Sequence, residues 1–233
     1  MTLALMESNS AKACARGLLH LGEILIDGDI DPNGSIHAAT IRAAINKLPP
    51  DEPVVMRFKK AAGGSFEESI RINVMLRDCG RKVIAHVEQA ASAATVVACA
   101  ASEVTLVEGG EYMIHSAFVK PSGFANYRSI GVVDLQLVID QLIEANELIL
   151  DVYSKRTGAD RKAIAELMRL TTFLKTEDAL KYGFVDRIVP ALPKPETRMM
   201  PARALIARGT AKPTWRTNFA TLQQARKRQL KSG

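Results

Sequence analysis

Lys82-Val83-Ile84-Ala85-His86-Val87 leads, through Gln89, into Ala90-Ala91-Ser92-Ala93-Ala94-Thr95-Val96-Val97-Ala98-Cys99-Ala100-Ala101. The first six residues form a short apolar run rich in β-branched side chains, which predicts a strand. The next twelve are almost all small, which suits a helix from Ala90 to Ala101 packed tightly on a sheet. Glu103 to Val107 is apolar and β-branched again, so a second strand follows. Strand, helix, strand in this order is one β-α-β unit, and such units build a mostly parallel sheet with right-handed crossovers.

Working outward, the same alternation repeats. Upstream, Glu23–Ile26 reads as a strand ending in a turn at Asp27-Gly28, and Ser35–Leu48 carries apolar residues at helical spacing until Pro49-Pro50 stops it. Pro53–Phe58 is a strand, the glycine-paired loop at 59–65 follows, and Glu67–Cys79 is helical with Gly80 as its C-terminal glycine. Residues 9–20 predict a short helix. Downstream, Gly109-Gly110 predicts a turn and Tyr112–His115 a strand. Residues 131–156 then place Leu135, Val138, Ile139, Leu142, Ile143, Asn146, Ile149 and Leu150 at three- and four-residue spacing, a long amphipathic helix closed by Gly158. Asp160–Arg169 and Glu177–Tyr182 predict two shorter helices, and the segment from Phe184 to Val189 a last strand.

The 233 residues are 47% hydrophobic and 24% charged, a globular balance that excludes disorder throughout. No apolar run reaches the roughly 20 residues of a membrane helix, and the N-terminus does not read as a signal peptide, so a cytoplasmic protein without a membrane partner is expected. Cys14, Cys79 and Cys99 are too few and too scattered for a disulfide framework or a metal cluster. The net charge of +6 divides unevenly. Pro190–Gly233 holds ten Lys/Arg against Glu196 alone, a net +9, which leaves −3 on residues 1–189. The expected organisation is therefore a folded domain over 1–189 and a basic C-terminal extension over 190–233. The mildly acidic body argues against nucleic acid as the partner of the main domain. Within the extension, Trp215 and Phe219 suggest a docking surface.

Four segments could carry chemistry. Gly63-Gly64 between a strand and a helix lets backbone N–H groups point into a cleft. Ser92 stands where a strand meets a helix of small residues, near a positive helix end. His115 leaves an apolar strand. Residues 171–186 hold Thr171 ahead of Phe173-Leu174, Tyr182-Gly183 and Asp186. Singly, each has a plainer meaning: a tight turn, a helix N-cap, a core histidine.

Taken in series, the strings AAGGS (61–65), QAAS (89–92), MIH (113–115) and FLKTEDALKYGFVD (173–186) resemble the SPGGS, QAAS, MIH and FLSAxEAxxYGLVD pattern of the Clp protease proteolytic subunit and its phage and bacterial relatives. The resemblance covers about residues 22–189. It implies a Clp/crotonase-like α/β fold with a long protruding handle helix, and a serine endopeptidase that hydrolyses unfolded proteins or peptides inside a ring-forming homo-oligomer. It implies Ser92 as nucleophile, His115 as general base, and the N–H groups of Gly64 and Ala93 as the oxyanion hole. No phosphate loop of the GxxxxGK[ST] type is present, so any ATP use belongs to a partner ATPase, and no cofactor is expected.

Two departures stand out. Ala61-Ala62 replaces the Ser-Pro of the loop. Thr171 occupies the position of the family aspartate, a hydroxyl where a carboxylate is expected. Asp134, Asp140 and Asp178 are the carboxylates nearby in sequence. The interval from His115 to Thr171 is longer than in the family by roughly two helical turns, which points to an altered contact between subunits. Thr171 motivates a second reading, a weak or inactive ring or scaffold subunit. A phage-type capsid-maturation protease, a crotonase-type acyl-CoA enzyme and a Ser–Lys peptidase using Lys59, Lys60 or Lys120 are the further alternatives.

Overall fold

The computed structural model describes residues 18–124 and 129–191. Nine strands and six helices are found there: β1 Leu19–His20, β2 Glu23–Ile26, β3 Asp29–Ile30, α1 Ala38–Ile45, β4 Val54–Phe58, β5 Gly63–Gly64, α2 Phe66–Arg77, β6 Val83–Ala91, α3 Ala93–Ala98, β7 Glu103–Ile114, α4 Val132–Thr157, α5 Arg161–Arg169, β8 Thr172–Leu174, α6 Thr176–Lys181 and β9 Arg187–Val189.

The main sheet runs β1-β2-β4-β6-β7-β8, with β9 also on β7. β2, β4, β6 and β7 are mutually parallel, as the β-α-β reading requires. Antiparallel strands close the two ends, β1 on β2 and β8 on β7. β4 and the first half of β6 alternate buried and half-buried residues, so one face carries the core: Val54, Met56 and Phe58, then Val83, Ala85 and Val87. α3 lies on that face with all six of its residues buried. Its small side chains bring α2 close enough for Asn73 to donate its amide to the Val96 carbonyl at 2.7 Å, so the polar group buried there is paired.

Three expectations need correction. Residues 19–20 are strand, because they pair with Ile24 and Glu23 across a two-residue turn with positive φ at Leu21 and Gly22; residues 9–17 lie outside the described residues. Ala90 and Ala91 extend β6 and do not begin the helix; their register with Tyr112 and Met113 outweighs the helix preference of alanine. Gly109-Gly110 is no chain reversal. Six residues of β7 (106 to 111) lie opposite three of β6 (87 to 89), a bulge inside one twelve-residue strand. A Cβ on Gly110 would sit 2.9 Å from the Glu88 carbonyl, so glycine permits the close approach.

α4 has 26 residues, about 39 Å of helix. Ala145, Ile149, Leu150 and Tyr153 are buried in its second half. Its first half exposes Val132, Val133, Leu135, Leu137 and Ile139. Gly158 in the left-handed region ends it, and the Asp160 carboxylate caps α5 by accepting the Ala163 N–H. No helix among the described residues is long and apolar enough to cross a membrane. The basic extension beyond Ala191 lies outside the described residues.

One buried carboxylate ties α1 to α2. Glu68 accepts the Ala38 N–H at 2.8 Å and pairs with Arg71 at 2.5 Å. Burial pushes this carboxyl up, but the amide and the guanidinium outweigh it and hold it below its ordinary value. A lowered carboxylate stabilises the fold above its unfolded pKa, and that contribution is lost as pH falls through the folded value. Glu68→Gln is therefore expected to cost about 1–3 kcal/mol at pH 7 and progressively less towards acid. Urea unfolding of both proteins across the acid range would show the two stability curves converging.

Candidate active site

The site is assembled where the C-terminal ends of parallel strands leave the sheet, the usual place for function in such folds. Ser92 links β6 to α3 with φ 58 and ψ −126, a backbone that a non-glycine residue adopts only when its surroundings hold it. Those surroundings are specific. Its N–H donates to the Met113 carbonyl at 2.8 Å. Its carbonyl accepts both the Thr95 N–H at 3.0 Å and the Thr95 hydroxyl at 2.6 Å. Thr95 Oγ1 in turn meets Tyr153 Oη of α4 at 2.6 Å. The Ser92 carbonyl can only accept, so Thr95 spends its proton there and Tyr153 is the donor to Thr95. Burial pushes the Tyr153 phenol up, which keeps that proton in place.

The glycine loop packs directly against this turn. Ala61 bridges to β6, and the Ala91 N–H donates to the Ala61 carbonyl at 2.9 Å. A Cβ on Gly63 would lie 2.6 Å from Ser92 Cβ and 3.1 Å from Ala93 N. A Cβ on Gly64 would lie 2.1 Å from the Ile30 carbonyl oxygen. Both glycines have φ beyond +100, so only glycine fits on sterics and on backbone conformation alike. The Ser65 N–H donates to the Ile30 carbonyl, and N–H groups alternate in direction along a parallel ladder; that of Gly64 therefore turns away from β3. Ala93 opens α3, where N–H groups have no partner within the helix.

His115 follows the buried end of β7, Tyr112-Met113-Ile114. Its Nε2 is 2.7 Å from Ser92 Oγ, and its Nδ1 is 2.5 Å from the Ser116 carbonyl. A carbonyl cannot donate, so the proton of this contact sits on Nδ1 and Nε2 offers its lone pair to the serine hydroxyl. The Phe118 ring lies 5.2 Å from the imidazole.

Ser92, His115 and the glycine loop are thus brought together. β8 carries Thr171 to the same region. Ile114 pairs with Thr172, the last pair of that antiparallel register, so Thr171 and His115 each adjoin it in the chain. Thr171 has a positive φ of 53, uncommon for a β-branched residue, and its N–H donates to the Met168 carbonyl. The three carboxylates singled out from the sequence are placed elsewhere. Asp134 caps the start of α4 through the Gly131 N–H, Asp140 accepts from Gln136, and Asp178 is exposed on α6. Lys59, Lys60 and Lys120 are exposed, and the Ser92 hydroxyl faces an imidazole instead. A cleft of about 230 Å³ between α2, the end of α3 and α4, lined by Arg77, Cys99 and Lys155 among others, contains neither Ser92 nor His115. The hydrogen-bonded pair is not part of that cleft's lining.

The sequence reading missed the Ser116 carbonyl, which no side-chain pattern can reveal. It also missed Thr95 and Tyr153, whose only signal was a hydroxyl within a run of alanines and valines, and a tyrosine in an apolar stripe.

The family model that matches this chain is Clp protease, over residues 7–191. The ATP-dependent Clp protease proteolytic subunit of Borreliella afzelii and subunit 1 of Borreliella burgdorferi are each 31% identical over 77 residues, 33% of this chain and 36% of theirs. The match therefore spans little more than a third of those relatives. The solved structure of a ClpP1 point mutant from Listeria monocytogenes aligns with a TM-score of 0.59 at 18% identity, covering 72% of this chain and 91% of that one. That likeness shows the crotonase-like α/β fold.

Proposed function

This chain belongs to the Clp protease family, and on that premise we propose that it is a serine-type endopeptidase with Ser92 as nucleophile and His115 as general base. The observation that carries the reading is the 2.7 Å contact between Ser92 Oγ and His115 Nε2, with the imidazole proton on the far nitrogen. His115 takes the hydroxyl proton as Oγ attacks the scissile carbonyl. The oxyanion is held by the N–H groups of Gly64 and Ala93, each worth roughly 3–4 kcal/mol where charge develops. His115 then protonates the leaving amine, and water resolves the acyl-enzyme by the same steps in reverse order. Thr171 occupies the position that the resemblance gives to an aspartate. A hydroxyl there carries no charge to stabilise imidazolium, so the reaction runs as a slow Ser–His pair.

The substrates are peptides or unfolded proteins, cut inside a homo-oligomeric ring and delivered by diffusion or by a partner ATPase. The exposed apolar half of α4, with Val132 83% and Val133 73% accessible, supports its use as the handle between subunits. Thr171 keeps a second reading open, a ring or scaffold subunit with little activity of its own. A phage-type capsid-maturation role is a special case of the first.

A fluorophosphonate probe distinguishes them. Labelling that maps to Ser92, with a particle mass by light scattering above that of one 25.3 kDa chain, is the expected result. Intact oligomer with no label at high protein concentration would favour the scaffold, and a clean monomer would remove the chamber.

A further inference from the structure

The imidazole of His115 is oriented by a backbone carbonyl, and that carbonyl has its own anchor. The Ser116 C=O and the Ala117 N–H belong to one peptide unit. The described chain contains no cis peptide bonds, so the two groups point in opposite directions within a plane. The C=O points at His115 Nδ1, 2.5 Å away. The N–H donates to Oδ1 of Asn146 on α4, 2.7 Å away. Asn146 thus grips one end of a rigid plate whose other end holds the base.

The preceding peptide is pinned as well, since the Ser116 N–H donates to the Met168 carbonyl at 3.0 Å. Asn146 lies in the half of α4 that packs on the domain, next to buried Ala145 and one turn from buried Ile149 and Leu150, so its amide is not free to wander. It is the polar residue in an otherwise apolar stripe. A side chain that must compete with water for a backbone N–H gains most where it is half-buried and the acceptor is preplaced.

We infer that Asn146 is a positioning residue for His115, acting through the Ser116–Ala117 peptide as a neutral stand-in for the carboxylate that the family places beside this imidazole. Drawing on the N–H polarises the amide and makes its oxygen a better acceptor. The Nδ1 proton is held more firmly, and positive charge on the ring is better tolerated. Among the described residues, the Ser92 hydroxyl from the β6–α3 turn and the Phe118 ring also face the imidazole, and Thr171 adjoins Thr172, the partner of Ile114. The role of His115 as a base rests on the proposed peptidase reading; the orientation of its ring does not.

The test compares the full chain with Asn146→Asp, nearly isosteric and still an acceptor, and Asn146→Leu, which is not. The imidazole pKa of each of the four histidines is read by deuterium exchange at the ring C2 position, which needs no activity. His115 is expected to titrate higher in Asn146→Asp and lower in Asn146→Leu, each by about half a pH unit or more, with His20, His37 and His86 unmoved. The pH profile of Ser92 labelling should shift in the same order, and Asn146→Leu should label about tenfold more slowly at neutral pH. If Leu at 146 prevents folding, the Asp variant alone decides. His115 titrating alike in the parent and Asn146→Asp overturns the inference, whatever the labelling. The ordered shifts without any label on Ser92 sustain the inference and overturn the peptidase reading.

Discussion

Gly64→Ala is expected to cost the fold about 2–6 kcal/mol and to leave little reactive protein. Two terms add at this position. A φ of +131 is closed to side chains, a strain of about 1–3 kcal/mol. The new methyl would also lie 2.1 Å from the Ile30 carbonyl oxygen, with the Ile30 nitrogen at 3.0 Å, and both are backbone atoms, which cannot swing aside as the end of a side chain can. Forced apart, β5 leaves β3, and the loop that packs on Ser92 moves with it. A domain of ordinary stability, about 5–15 kcal/mol, would survive the lower figure and fail at the higher. Gly80→Ala is the matched control. Its φ is +70 and nothing lies within 4 Å of the added carbon, so only about 1 kcal/mol is at stake. Chemical unfolding of both variants, alongside Ser92 labelling, separates clash from backbone preference. Equal losses at the two positions would mean that the close approach of β5 to β3 is not needed.

Ser92→Ala and His115→Ala should each lower peptide hydrolysis by about 10²-fold, and the double variant by no more. The size follows from the neutral partners of the ring. In a complete serine triad, losing the nucleophile or base costs about 10⁶ in turnover and losing the carboxylate alone about 10⁴. A pair working without that charge therefore stands only about 10² above the background left by binding and the oxyanion donors. Non-additivity is the diagnostic part, because the two groups act as one unit across 2.7 Å. Two independent losses that multiply would show that Ser92 and His115 do not share a reaction. Thr171→Asp extends the argument. An aspartate tolerates the φ of 53 better than threonine does, and a carboxylate at the position that the resemblance gives to the aspartate should raise the rate above the parent's. A peptide assay under single-turnover conditions measures all of these variants.

The longer strands and helices were legible in order because each announces itself over four residues or more, whereas β3, β5 and β8, at two or three residues, carry too short a pattern to read. β2, β4 and the start of β6 are apolar and β-branched, α4 keeps helical spacing over 26 residues, and Gly158 and Asp160 punctuate it. Misreadings arose where two signals conflicted. Ala90 and Ala91 have the composition of a helix and the pairing of a strand. Gly109-Gly110 has the composition of a turn and the geometry of a bulge, because β6 on one side and β8 and β9 on the other keep β7 in the sheet.

For the site, residue types alone left the paired glycines, Ser92 and His115 with plainer readings; their order in series, by its resemblance to the Clp protease pattern, singled them out and gave Thr171 the place of the aspartate. Their chain order is a property of the sequence. Their meeting is not. Ser92 and His115 are 23 positions apart and come within 2.7 Å only because β6 and β7 are parallel neighbours that end at the same level. The partner of Nδ1 was beyond any reading of side chains, because it is a backbone carbonyl that every residue possesses. Only the tertiary fold, by setting α4 against the loop after β7, decides that the carbonyl of Ser116 is the one that faces the ring.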